Sequence, residues 1–293
     1  MSVARPAAAP ALPSLEAVLG KAPLENFPVA LRVLRADHRE DLWALYGFAR
    51  LVDDVGDGAP GDRLEALAAV DRELDAAFAG RATHPAFVRL QRAIRRRDLP
   101  PGPFRDLVEA NRVDQAVHRY ATFDDLLAYC RLSANPVGHL VLAVFGADTL
   151  PNRRWSDAIC TGLQLAEHWQ DVGEDAARGR VYVPLEDLEA AGCPERDLFE
   201  ATASPAVRRV LSREAARARG ILDSGLPLVA ALRGRSRLAV AAYLAGGRAA
   251  LDALAASGFD SVTSSPRATR WARARAVASV LVDAARRRDG GAG

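Results

Sequence analysis

The stretch "ALYGFARLVDDVGD", Ala44 to Asp57, sets three aspartates and an arginine into an otherwise mostly apolar segment. Its apolar residues recur at three and four positions, the period of one helix face. Asp53 and Asp57, four residues apart, then share a face about 5–6 Å apart and repel each other. Both lie near the end of this helix, where the macrodipole disfavours negative charge. A divalent cation reverses both costs. Ligands that are all oxygen suit Mg2+, which keeps several waters and takes one or two carboxylates plus substrate phosphates.

The pattern returns far along the chain. "EHWQDVGED" closes on Asp171 and Asp175, spaced as Asp53 and Asp57 are. On the first helix Tyr46, Arg50, Asp53 or Asp54, and Asp57 trace one polar stripe; on the second, Gln164, Glu167 or His168, Asp171, and Glu174 or Asp175 do the same. One such aspartate pair is ordinarily a solvated surface feature. Two pairs, each on a helix with an inward polar stripe, predict a cavity between them in which metal-bridged diphosphate becomes a better leaving group. The following "AARGRVYVP", Ala176 to Pro184, adds a basic loop whose Arg178 and Arg180 either close over phosphate or face solvent.

Around these motifs the chain reads as all-α, with no bounded run of strict alternation to suggest a strand. Candidate helices span roughly 28–36, 39–57, 61–79, 84–97, 102–119, 123–145, 153–173, 204–232, 235–257 and 266–287. Thr122 is the expected N-cap of its helix, with Asp125 at the third position. No long polar linker divides the chain, so one domain over 14–287 is expected, with a disordered lead-in (1–13) and tail (288–293). The net charge of +2, with acids and bases interleaved, argues against nucleic-acid binding. Cys130, Cys160 and Cys193 form no CxxC pair, which fits a reducing cytoplasm. No apolar run approaches the roughly 18 residues of a membrane span. His38, His84, His118 and His139 lack metal-ligand spacing and read as structural, whereas His168 adjoins the acidic stripe.

Three pieces together carry a resemblance: "ALYGFARLVDDVGD" at 44–57, "RYATFDDLLAYCRLSANPVGHL" at 119–140 and "GLQLAEHWQDVGEDAARGRVYVP" at 162–184. In order and approximate spacing they resemble the trans-isoprenyl squalene and phytoene synthases. The resemblance implies a single-domain isoprenoid synthase bundle with a central cavity and Mg2+ on Asp53, Asp57, Asp171 and Asp175. It further implies diphosphate contacts from Tyr46 and Arg50, with Gln164, Arg180 and Tyr182 also on the substrate, and Tyr129 near the reacting carbons.

The departures point to one branch. Where condensing members carry "NxxRDxxED", this chain has Glu167 and Gln170, and "SANPVG" places Asn135 and Pro136 where the helix would bend into the cavity. These features look like the bacterial hydroxysqualene synthases, which act on presqualene diphosphate in squalene and hopanoid pathways. That likeness implies a partner synthase that makes this substrate and a flavin-dependent reductase that consumes the product. No GxGxxG follows a strand, so water rather than hydride is expected to finish the reaction. Glu167, Gln170 and Asn135 are the candidates to position it, and simple packing contacts are their alternative. The rivals are a condensing synthase acting on two farnesyl or geranylgeranyl diphosphates and a non-catalytic scaffold. A C30 substrate is also compatible with peripheral contact with a bilayer.

Overall fold

Every regular element is helical in the computed structural model, which describes residues 12–22, 28–58 and 61–290. The helices among them are α1 (Leu15–Leu19), α2 (Ala36–Gly58), α3 (Arg63–Phe78), α4 (Pro85–Arg97), α5 (Gly102–Ala116), α6 (Phe123–Ser133), α7 (Asn135–Val144), α8 (Leu150–Gln170), α9 (Val172–Ala177), α10 (Leu185–Ala190), α11 (Pro205–Ser224), α12 (Leu226–Ala231), α13 (Gly234–Ala256) and α14 (Arg270–Gly290). The all-α expectation holds. The lead-in over 1–11 and the last residues, 291–293, lie outside the described residues, while α14 runs on to Gly290, three positions into the expected tail.

Local chemistry explains where helices begin and end. At α6 the expected capping box forms: Asp125 N–H donates to Thr122 Oγ1 at 3.1 Å, and Thr122 N–H donates to Asp125 Oδ2 at 3.0 Å. At α4, Pro85 occupies the first turn, where its missing N–H costs nothing, and the His84 ring caps Ala86 N–H.

Three expected helices are broken. The 123–145 span divides at Ala134, because Pro136 brings no N–H to continue α6. The 204–232 span divides at Gly225, with Pro227 opening α12. The 153–173 span ends at Gln170, and α9 restarts beyond Asp171. The expected helix over 28–36 does not form. From Pro28 to Arg35 the chain runs in turns, one closed by Leu34 N–H to Leu31 O at 3.0 Å, a segment too short to offset helix nucleation.

Two apolar cores form. One gathers α2 to α5 around Phe48, whose ring meets Phe87 and Phe104 edge-on at 5.8 and 5.2 Å. The other gathers α6, α8 and α11 to α14 around Leu165, Trp169, Leu222 and Leu244. Each such large side chain, once fully buried, contributes about 1.5–3 kcal/mol. α7 serves both cores, through Leu140 on one side and Leu142 on the other. α13 has the length and composition of a membrane span, yet 67% of its most apolar stretch is buried in the bundle, against α8, α11, α12 and α14.

Candidate active site

Between the two cores lies a cavity. α2 contributes Leu42, Leu45, Tyr46, Ala49, Arg50 and Asp53 to its wall, and α8 contributes Ile159, Leu163, Gln164 and Glu167. From N- to C-terminus, both helices change from aliphatic to acidic along this wall. Ala134, Val137, Gly138, Leu140, Val141 and Leu142, with Val240 and Tyr243, close the apolar part.

The first acidic pair is held by α5. Asn111 Nδ2 donates to Asp53 Oδ1 at 3.2 Å, and Gln115 Nε2 donates to the Gly56 carbonyl at 3.0 Å. Gly56 is needed for this approach, because a Cβ there would run into the Asn111 side chain. Asp53 lies deep among protein atoms but opens onto the cavity. Burial pushes its carboxyl up to about 7, against the Asn111 hydrogen bond and the Arg50 charge. Asp54 is instead neutralised within the wall, since Lys21 Nζ at 2.7 Å and Arg50 Nε at 3.2 Å both pair with its Oδ1. Asp53, and not Asp54, is therefore the acid of the cavity stripe.

The second pair straddles a break between two helices. Asp171 is the junction residue between α8 and α9, and Asp175 lies within the six-residue α9, so the second pair spans two helices where one was expected. A strap over 261–267 covers the break. Gly173 N–H donates to Ser261 O at 3.0 Å, Ser265 Oγ donates to Glu174 Oε1 at 2.6 Å, and Gln170 Nε2 donates to the Pro266 carbonyl. Gly173 admits the strap, because a Cβ there would collide with Val262 O.

The two pairs meet through Arg180, whose Nη1 lies 2.6 Å from Asp57 Oδ1. Burial, joined by the charge of Asp171, pushes Asp175 up to about 7, and the Asp57 charge adds to this. Burial likewise raises Asp171, whose Oδ1 is enclosed without a hydrogen-bond partner. Among the described residues, no three carboxylate, imidazole or thiolate groups converge as a metal cage on protein ligands alone. What these residues fit is a hard cation shared with phosphate oxygens and water. The donors are all carboxylate, their charge is destabilised by burial and mutual repulsion, and one oxygen is unpartnered.

A family model described as squalene/phytoene synthase matches residues 21–275. The chain belongs to the squalene/phytoene synthase family. It is thus an enzyme of a family that processes prenyl diphosphates. The chain is 40% identical over 211 residues to a hydroxysqualene synthase of Rhodopseudomonas palustris, an alignment covering 71% of this chain and 72% of the relative. It is 32% identical to phytoene synthase 3 of Zea mays, covering 82% of this chain and 58% of that one. Among solved structures it resembles squalene synthase HpnC of Alicyclobacillus acidocaldarius with a TM-score of 0.73 and 44% identity, covering 78% of this chain and 86% of that one.

Tyr46, Arg50, Asp53, Gln164 and Glu167 line the cavity as expected from the sequence. Asp57, Asp171, Asp175 and Arg180 gather where its two acidic walls meet. These four lie beyond its lining, and four further expected site residues are also outside it. Asn135 Oδ1 accepts from Thr161 Oγ1 at 2.9 Å and pins α7 to α8. Gln170, 2% exposed, is turned to the strap. Tyr129 and Tyr182 instead share Asp114, with hydroxyl-to-carboxylate distances of 2.6 and 3.4 Å.

Around Asp114 is a buried polar shelf that the sequence did not reveal. His168 stacks on Tyr182 with ring centroids 3.7 Å apart, and its pKa is pushed down to about 3 by burial and by Arg180, so the imidazole is neutral. Its Nε2 meets Gln164 Nε2 at 3.2 Å, which links the shelf to the cavity wall. Burial raises Asp114 to about 6 despite the tyrosine hydroxyls. One signal was available. Asn111, Asp114 and Gln115 fall three and four apart, a polar stripe on α5 like those on the acidic helices.

Proposed function

We propose that this enzyme is a hydroxysqualene synthase, a carbon–oxygen lyase that converts presqualene diphosphate and water to hydroxysqualene and diphosphate. The observation that carries this reading is the gradient along the cavity, aliphatic at one end of α2 and α8 and acidic at the other. That is the shape of a prenyl diphosphate. The relatives named hydroxysqualene synthase in Rhodopseudomonas palustris, Sinorhizobium fredii and Zymomonas mobilis, at 34–40% identity, support it.

Asp53, Asp57, Asp171 and Asp175 would hold Mg2+, which when bound neutralises diphosphate charge and makes it a better leaving group. Tyr46 and Arg50 bind and orient the diphosphate from α2, and Arg180 holds the seam between the acidic walls. The C–O bond breaks with its electron pair going to diphosphate. The cyclopropylcarbinyl cation left behind rearranges to an allylic one against aliphatic walls that exclude water. Glu167 presents the attacking water; a new C–O bond forms and the water's proton leaves to a carboxylate or to diphosphate. The residues no longer available for this last step are Asn135 and Gln170, each committed elsewhere.

The reading places the enzyme in the cytoplasm, after a synthase that forms presqualene diphosphate and before a flavin-dependent reductase. A condensing activity is the second reading, supported by the match to plant phytoene synthases. Product analysis decides between them. Presqualene diphosphate with Mg2+ should yield the C30 alcohol, whereas a C30 product from farnesyl diphosphate alone would favour condensation.

A further inference from the structure

α14 carries an outward face that no other described element covers. Its inner side is committed to the core: Val280 and Ala284 are fully buried, with Ala276, Val277 and Leu281 packed beside them. The outer side runs Trp271, Ala274, Arg275, Ala278, Val282 and Arg286, all exposed, with Arg270 and Arg287 alongside. Trp271 is 70% and Val282 50% exposed. The Arg270 guanidinium lies over the Trp271 ring, 5.4 Å from its centroid. The one acid on this helix among residues 270–287, Asp283, is taken by Arg248 at 2.8 Å, so the face presents positive charge with an indole at its start.

We propose that this face of α14 docks the enzyme on an anionic lipid bilayer. Indole rings settle at the level of lipid headgroups, and arginines beside them attract anionic lipid. The exposed apolar area is small, mainly Trp271, Val282 and alanines, so neutral lipid alone does not hold it. A second copy of the chain fits poorly, since a twofold contact through this face sets arginines against arginines. The docking helix also continues directly from the strap over the second acidic pair, through Pro266 to Arg270. A bilayer contact at α14 thus lies next in sequence to the segment that covers the site.

The test is co-sedimentation of the full chain with vesicles of phosphatidylcholine alone or mixed with phosphatidylglycerol. Binding is expected to the mixed vesicles only and is released by raised salt. Arg270→Ala combined with Arg275→Ala should weaken partitioning about 25-fold, since each arginine near an anionic surface contributes about 1 kcal/mol, a factor of about five. The lysine versions of both should retain it. Trp271→Ala should remove the blue shift of tryptophan emission on vesicle addition. The proposal is overturned if wild type ignores anionic vesicles, if the alanine variants bind as wild type does, or if sedimentation velocity shows a dimer that Trp271→Ala dissolves. None of these readouts requires turnover.

Discussion

Arg180 Nη1 and Asp57 Oδ1 lie 2.6 Å apart although 123 residues separate them in the chain. This pair joins the two acidic walls, and Arg180 is nearly enclosed while Asp57 remains half-exposed. A charge-assisted hydrogen bond of this kind contributes about 1.5–3 kcal/mol. If that energy holds the walls at working distance, Arg180→Ala should lower kcat about 10- to 100-fold at saturating Mg2+. Wild-type turnover in that variant would show that the walls are set by packing alone.

Asp53 and Asp54 are neighbours with different duties. Asp53 opens onto the cavity, and Asp54 is neutralised by Lys21 and Arg50. Asp53→Asn is expected to abolish Mg2+-dependent turnover. Asp54→Asn should keep most activity and lose about 1 kcal/mol of stability, measured by denaturant unfolding. Equal damage from the two substitutions would refute this division.

Glu167 faces the cavity, whereas Asn135 is buried against Thr161. Glu167→Gln should shift the product mixture from alcohol toward eliminated or rearranged hydrocarbons. Asn135→Ala should cost about 1 kcal/mol of stability through the orphaned Thr161 hydroxyl and leave the product ratio alone. Gas chromatography of the extracts reads both outcomes, and an altered ratio in the Asn135 variant alone would reverse the assignment.

Gly173 sits where a Cβ would strike the Val262 carbonyl. Because backbone blocks the way, Gly173→Ala must displace the strap, at a cost of about 1–3 kcal/mol. A lowered thermal midpoint with weakened diphosphate binding is expected, and an unchanged midpoint would show that the strap moves freely.

Glu214 sets a pH dependence away from the cavity. Its side chain is fully buried, Arg217 pairs with Oε2 at 3.2 Å, and Oε1 has no partner. Burial pushes its carboxyl up to about 7 from 4.5, against the Arg217 charge. A raised carboxyl pKa favours the folded state below the unfolded value and withdraws that support as pH rises through about 7. Glu214→Gln should therefore gain about 1–3 kcal/mol at pH above 7 relative to wild type and little in acid. Urea unfolding across that range gives the comparison, and a constant difference at every pH would remove Glu214 as the cause.

The helical class, the echo of Asp53/Asp57 in Asp171/Asp175 and the Thr122–Asp125 cap were all legible in the amino-acid order, because each depends on residues within a few positions of one another. Helical period also placed Tyr46, Arg50, Gln164 and Glu167 on the acidic faces, and those faces do line the cavity. Period gives the angle of a side chain around its own helix and says nothing about what covers it. It took the folded arrangement to bring Asn135 to Thr161, Gln170 to Pro266, and Tyr129 and Tyr182 together onto Asp114. The choice between Asp53 and Asp54 was made there too, since the neutralising Lys21 comes from another segment. Such partners lie from 15 to 96 positions apart, and only the packing of whole helices brings them within hydrogen-bond distance.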